Sequence, residues 1–117
     1  MSCLFNSLSY FFKEDSFIIR QKICDYLENN NPIIDGLDTT FILNMDNSDY
    51  IKNMRQTFTW GGAIEIQAAC NIWKIKIGVR NIRDKEISYI EFIPIYDKTE
   101  NIIYIEWSGY HFEPIIN

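Results

Sequence analysis

Apolar residues recur at helical spacing up to residue 73 and in alternate positions beyond it. The first helical pattern begins at Cys3, and its buried face is formed by Leu4, Phe5, Leu8, Phe11 and Phe12. A second helix is predicted after residue 15, with Ser16 as its N-cap. Two more helical patterns are present, one in residues 47–56 and one in residues 60–73 that starts after the two glycines. The last is apolar nearly all round, which indicates a helix at the centre of the core.

Residues 74–107 show the period of two that is typical of β-strands. Strands are predicted over residues 74–80, 87–96 and 102–107, and residues 108–115 turn and extend toward the C-terminus. The connections between strands are too short for helical crossovers. The pattern therefore predicts one α+β domain over residues 1–117, with N-terminal helices packed on a mainly antiparallel C-terminal sheet.

The charge and cysteine content narrow the classes of function. A formal net charge of -5 argues against nucleic-acid binding and favours a protein partner with a neutral or basic face. We predict no membrane association, because no apolar run approaches the length of a span and no export signal is seen. Three cysteines and one histidine do not make a zinc site, so we expect no metal or cofactor, and reduced thiols in the cytoplasm or nucleus.

Cys3 and His111 are the candidate catalytic pair. A thiol at a helix start lies beside unpaired N–H groups and the positive end of the helix dipole, which favour a thiolate. His111 is the one histidine available as a base, and alternation along an extended segment places Glu113 on the same face to orient it. The backbone N–H groups of Ser2 and Cys3 would receive the oxyanion of an acyl-transfer reaction.

Each of these residues also has an ordinary structural explanation. A free cysteine is most often a packing residue, and a single histidine is usually just a surface or core residue. Cys24 and Cys70 lie inside predicted helices, where core packing is the expected role. From the residues alone, catalysis and packing both remain open for Cys3.

A family resemblance favours catalysis. Five segments carry it: "SCLFNSLS" at 2–9, "DYIKNM" at 49–54, "WGGAIEIQA" at 60–68, "IKIGV" at 75–79 and "GYHFEPI" at 109–115. In this order and spacing they resemble the ovarian-tumour (OTU) family of cysteine proteases, which includes deubiquitinases. The resemblance implies a papain-like fold, no metal, and cleavage of the bond after the C-terminal glycine of ubiquitin or a ubiquitin-like modifier. We expect the chain to be a monomer.

The resemblance also implies roles for individual residues. Cys3 matches the family's nucleophile and His111 its general base, and Glu113 stands where the family usually has Asp or Asn. Trp60, Gly61 and Tyr110 are candidates for binding the extended tail of the substrate. The family generally has an Asp-Gly pair just before the nucleophile, and Met1 stands where that glycine would be. This departure predicts either additional sequence upstream or a weakened oxyanion site.

Two alternatives to the protease remain open. The first is an OTU-like module that binds ubiquitin without cleaving it. The second is another papain-like acyl transferase, which would not bind tails of the ubiquitin type. A thiol-reactive ubiquitin probe distinguishes them, because only the protease is captured covalently through Cys3.

Overall fold

A computed structural model describes residues 2–45 and 49–116, and within these ranges five helices precede four strands. The helices are α1 (Cys3–Phe12), α2 (Ser16–Glu28), α3 (Thr39–Asn44), α4 (Tyr50–Met54) and α5 (Ala63–Trp73). The strands are β1 (Lys76–Asn81), β2 (Ser88–Phe92), β3 (Ile102–Trp107) and β4 (Phe112–Pro114). The predicted α+β class is confirmed.

The helix boundaries follow local capping. α1 begins at Cys3, as predicted, and ends before Lys13, whose backbone is left-handed with φ of 61°. The prediction of Ser16 as the N-cap of α2 is wrong by one residue. Asp15 is the cap, since its side chain accepts hydrogen bonds from the backbone N–H groups of Phe17 at 2.9 Å and Ile18 at 3.4 Å. A carboxylate is a strong acceptor for these unpaired donors.

The middle of the chain contains one helix that the pattern did not predict. α3 is only six residues long, and Asp38 caps it by accepting from the N–H of Thr40 at 3.0 Å. The helix predicted over residues 47–56 is α4, which is shorter than the pattern indicated. Asn47 and Ser48, the first two residues of that prediction, lie outside the described residues.

The four strands form one sheet in the order β2-β1-β3-β4. β1 pairs with β2 and β3 pairs with β4 in antiparallel fashion, whereas β1 and β3 are parallel. The sheet is therefore mixed, with two antiparallel pairings out of three. The parallel pair arises because β2 forms one edge, and residues 93–101 then return the chain to the other side of β1. Side chains alternate in the same way along parallel and antiparallel strands, so the sequence pattern does not reveal the parallel pairing.

Helices α1 and α5 pack against the sheet, and α2 packs against both of them. α1 contacts α2 and β4, and α5 lies between α2 and strands β1 and β2. The core residues include Phe5, Leu8, Ile23, Ile77 and Ile105, all fully buried. Complete burial of each such side chain contributes about 1.5–3 kcal/mol to folding. This packing sets α1 beside β4, the edge strand of the sheet.

Candidate active site

Cys3 is the first residue of α1, and only 8% of it is exposed. At the helix start, the N–H of Asn6 donates to the carbonyl of Ser2 at 2.8 Å, and the Ser7 hydroxyl donates to the carbonyl of Cys3 at 2.8 Å. The N–H groups of the first turn have no partner within the helix, as at every helix N-terminus. They are available to an anionic group beside Cys3.

His111 and Glu113 lie together at the start of β4. Their closest atoms, His111 Nε2 and Glu113 Oε1, are 3.4 Å apart, slightly beyond the usual hydrogen-bond range. Both side chains are exposed, by 55% and 68%, while Phe112 between them is buried. The predicted alternation is therefore present, with His111 and Glu113 on one face and Phe112 on the other.

The thiol and the imidazole come from elements that pack against each other. α1 begins at Cys3, and β4 begins one residue after His111; these two elements are in contact. Among the described residues, the partner of the His111 ring is Glu113, and no hydrogen bond joins it to the Cys3 thiol. Catalytic hydrogen bonds are often long in unliganded enzymes and tighten when substrate binds.

A groove of about 260 Å³ opens between the start of α5 and the sheet. Gly61, Gly62 and Phe112 are among the residues that line it, together with Val79 and Trp107. Its lining is largely apolar. Of the three predicted tail-binding residues, Gly61 is part of this lining, whereas Trp60 and Tyr110 are exposed and are not part of it.

Gly61 packs directly against the first turn of α1. A Cβ atom at this position would lie 2.7 Å from Leu4 Cδ2 and 3.0 Å from Phe5 Cε2. Real Cβ atoms almost never approach other atoms so closely. The glycine therefore lets residues 60–62 lie against the two residues that follow Cys3.

A buried polar network, which the sequence pattern did not single out, lies behind this segment. Arg20 Nη1 donates to the carbonyl oxygens of Met54 at 2.8 Å and Thr59 at 3.0 Å, and its guanidinium lies 4.1 Å from the centre of the Phe5 ring. The Glu65 carboxyl accepts from the N–H of Gly62 at 2.7 Å. Its other oxygen accepts from the Tyr50 hydroxyl at 2.5 Å.

One signal for this network was present in the sequence. Arg20 lies four residues before Cys24 and seven before Leu27, and thus on the stripe of α2 that is buried. A charged residue on such a stripe needs buried partners. The identity of those partners could not be read from the chain.

Burial shifts the pKa values of several groups. It raises the pKa of the Glu65 carboxyl above its usual value and lowers the pKa of the Arg20 guanidinium. Burial also raises the pKa of Cys24 to about 11 and that of Cys70 to about 12. These two thiols are fully buried, which confirms their predicted place in the core, and they stay protonated at neutral pH.

No group of three or more His, Cys, Asp or Glu side chains in residues 2–45 and 49–116 could hold a metal ion. None of the helices in the same ranges has the length and apolar character needed to cross a membrane.

A cysteine thus begins a helix that packs against the strand following a histidine. The family model of OTU-like cysteine proteases matches residues 2–112, a range that includes both Cys3 and His111. The chain belongs to this family.

Individual relatives agree with this assignment. The chain is 28% identical over 118 residues to OVARIAN TUMOR DOMAIN-containing deubiquitinating enzyme 9 of Arabidopsis thaliana, covering 97% of this chain and 32% of the relative. It is 30% identical over 115 residues to Ubiquitin thioesterase OTU1 of Saccharomyces cerevisiae, covering 97% of this chain and 36% of the relative. The chain thus spans about a third of the length of these two proteins.

Solved structures show the same fold. An Ovarian Tumor (OTU) domain in complex with ubiquitin has a TM-score of 0.74 and 30% identity, covering 97% of this chain and 62% of that one. An OTU deubiquitinase from Wolbachia pipientis wMel, bound to ubiquitin, has a TM-score of 0.68 at 18% identity. That second match covers 99% of this chain and 90% of the other, and it supports the fold alone.

Proposed function

We propose that this chain is a deubiquitinase that hydrolyses the isopeptide or peptide bond after the C-terminal glycine of ubiquitin or a ubiquitin-like modifier. The observation that carries the proposal is the family match over residues 2–112, which includes Cys3 and His111, on a fold where α1 packs against β4. The 30% identical OTU domain that was solved with ubiquitin supports the choice of substrate.

In the proposed mechanism Cys3 is the nucleophile and His111 the general base. The Cys3 thiolate attacks the carbonyl carbon of the terminal glycine, and the N–H groups of Ser2 and Cys3 stabilise the oxyanion. The C–N bond breaks as the His111 imidazolium gives its proton to the leaving amine. A water that His111 deprotonates then hydrolyses the thioester, which releases the modifier with a free carboxylate and restores the thiol.

Glu113 and the groove have supporting roles in this proposal. Glu113, 3.4 Å from His111, orients the ring and stabilises its protonated form. The apolar groove beside Gly61 receives the extended tail of the modifier. Trp60, directly before Gly61, and Tyr110, two residues before the groove residue Phe112, are exposed and contact the tail outside the groove. The net charge of -5 suits a partner with a basic face. We propose that the chain acts as a single monomeric domain in the cytoplasm or nucleus.

A ubiquitin probe with a thiol-reactive C-terminal group tests the proposal. We expect wild type and Cys24→Ala to form a covalent adduct, and Cys3→Ala to form none, as judged by a gel shift and intact mass. Cys24→Ala is the matched control, because it removes a thiol of the core. Tight binding without capture would support a non-cleaving ubiquitin-binding module, and failure to bind or react would favour another papain-like acyl transferase.

A further inference from the structure

The carboxyl group of Glu65 connects two separate segments of the chain. One oxygen accepts from the backbone N–H of Gly62 at 2.7 Å, and the other accepts from the Tyr50 hydroxyl at 2.5 Å. Gly62 borders the groove, whereas Tyr50 begins α4 and does not line it. The two hydrogen bonds of this side chain can therefore be removed separately.

Arg20 contacts the other end of the segment formed by residues 59–62, which contains the groove residues Gly61 and Gly62. Its Nη1 atom donates to the carbonyl of Thr59 at 3.0 Å, directly before Trp60. Residues 59–62 are thus held at one end by Arg20 from α2 and at the other by Glu65 from α5. Both holding side chains are only 1% exposed, so the contacts are shielded from water.

The middle of this segment packs on the helix that carries the nucleophile. Gly61 leaves no space for a Cβ atom next to Leu4 and Phe5, the two residues after Cys3. A shift of residues 59–62 would therefore change both the groove and its distance from the start of α1.

Helix capping alone does not explain Glu65. A glutamate at the third position of a helix commonly reaches back to the N–H of the cap residue, and it does so at the protein surface. Glu65 makes this contact while almost fully buried, in an environment that disfavours a charged carboxyl. An exposed glutamate would cap α5 at a lower cost of desolvation, so capping alone does not account for the buried position.

We propose that Glu65 is a positioning residue for substrate binding, which holds Gly61 and Gly62 in the place that the tail of a ubiquitin-type modifier requires. This inference rests on the proposed function, because that function assigns the tail to the groove. Glu65 acts on the tail through the backbone of Gly62 and does not touch the reacting atoms.

Three variants test this role. Glu65→Leu removes the acceptor for Gly62 at similar size, and Glu65→Gln keeps an oxygen that can accept from the same N–H. Tyr50→Phe removes the other hydrogen bond of the same carboxyl, away from the groove. The measurements are kcat and KM for cleavage of a fluorescent amide at the ubiquitin C-terminus, and the exchange rate of the Gly62 amide by NMR.

We expect Glu65→Leu to raise KM and the Gly62 exchange rate by about tenfold, the effect of one lost buried hydrogen bond, with kcat little changed. Glu65→Gln should restore both values, and Tyr50→Phe should leave both near wild type. The proposal is overturned if the exchange rate of the Gly62 amide is unchanged in Glu65→Leu, or if it rises by the same factor as the exchange rate of core amides such as Ile105, because the second result would mean a general loss of stability. It is also overturned if Tyr50→Phe raises KM as much as Glu65→Leu does.

Failure of the proposed function gives a different result. Wild type would then neither cleave nor bind the ubiquitin substrate, and the assignment of the groove to its tail would fall with it. The Gly62 exchange rates of the three variants would still decide whether Glu65 holds the segment.

Discussion

Replacing Gly61 by alanine tests whether the segment before α5 packs against the nucleophile's helix as tightly as the structure shows. The added Cβ would lie 2.7 Å from Leu4 Cδ2 and 3.0 Å from Phe5 Cε2 and Cζ. Both neighbours are fully buried, and the Arg20 guanidinium lies 4.1 Å from the centre of the Phe5 ring. The Phe5 ring therefore has little freedom to retreat, so either the buried Leu4 side chain must rearrange within the core or the segment must shift.

The expected loss of stability follows from two opposing effects. Overpacking of a tight core costs about 1–3 kcal/mol. Gly61 does not have a left-handed backbone, so alanine recovers about 0.4–1 kcal/mol by reducing the freedom of the unfolded chain. The net destabilisation is about 1–2 kcal/mol, which lowers Tm by roughly 4–8 °C for a domain of this size.

Thermal and urea unfolding, followed by circular dichroism, measure the effect. Gly62→Ala is the matched control, because its Cβ would meet only Glu65 Oε1, at an ordinary distance of 3.9 Å. There the entropy gain is offset by the weaker N-cap preference of alanine, so we expect a Tm within about 2 °C of wild type. Equal Tm changes in the two variants, or a rise in Tm for Gly61→Ala, would refute the close packing of Gly61 on α1.

Three further predictions concern the groups of the proposed site and the core. His111→Ala should lower kcat/KM for the ubiquitin substrate by about a hundredfold or more while leaving Tm unchanged, and activity close to wild type would remove His111 from the mechanism. Iodoacetamide should label Cys3 before Cys24 and Cys70, because those two thiols are fully buried and their pKa values are raised to about 11 and 12. Peptide mass spectrometry measures the labelling of each cysteine, and equal rates at all three would contradict the prediction. Glu65→Gln should gain stability relative to wild type as the pH rises above the ordinary glutamate pKa of 4.5. The pKa of Glu65 is higher in the folded state than in the unfolded state. Protonation of Glu65 therefore stabilises the wild-type fold fully below pH 4.5, and this stabilisation is lost as the pH rises through the pKa of the folded state. Glutamine does not titrate, so the variant does not lose stability in this way. Urea unfolding of both proteins over this range would contradict the prediction if the difference in unfolding free energy stayed constant or changed in the opposite direction.

The sequence by itself determined the features that depend on neighbouring residues. The start of α1 at Cys3 and the bounds of β3 follow from apolar periodicity, which a helix or strand imposes over a few residues. The shared face of His111 and Glu113 follows from the same alternation in an extended chain. Each of these features needs only the local backbone geometry.

The tertiary structure alone decided the features that depend on distant partners. The parallel pairing of β1 with β3 could not be read from the pattern, because parallel and antiparallel strands alternate in the same way. The hydrogen-bond network behind residues 59–62 could not be predicted for a related reason. Arg20 donates to carbonyls 34 and 39 residues away along the chain. A charged side chain can be buried only where the fold brings such acceptors together. Long-range packing supplies those acceptors, and the local spacing of apolar residues carries no information about them.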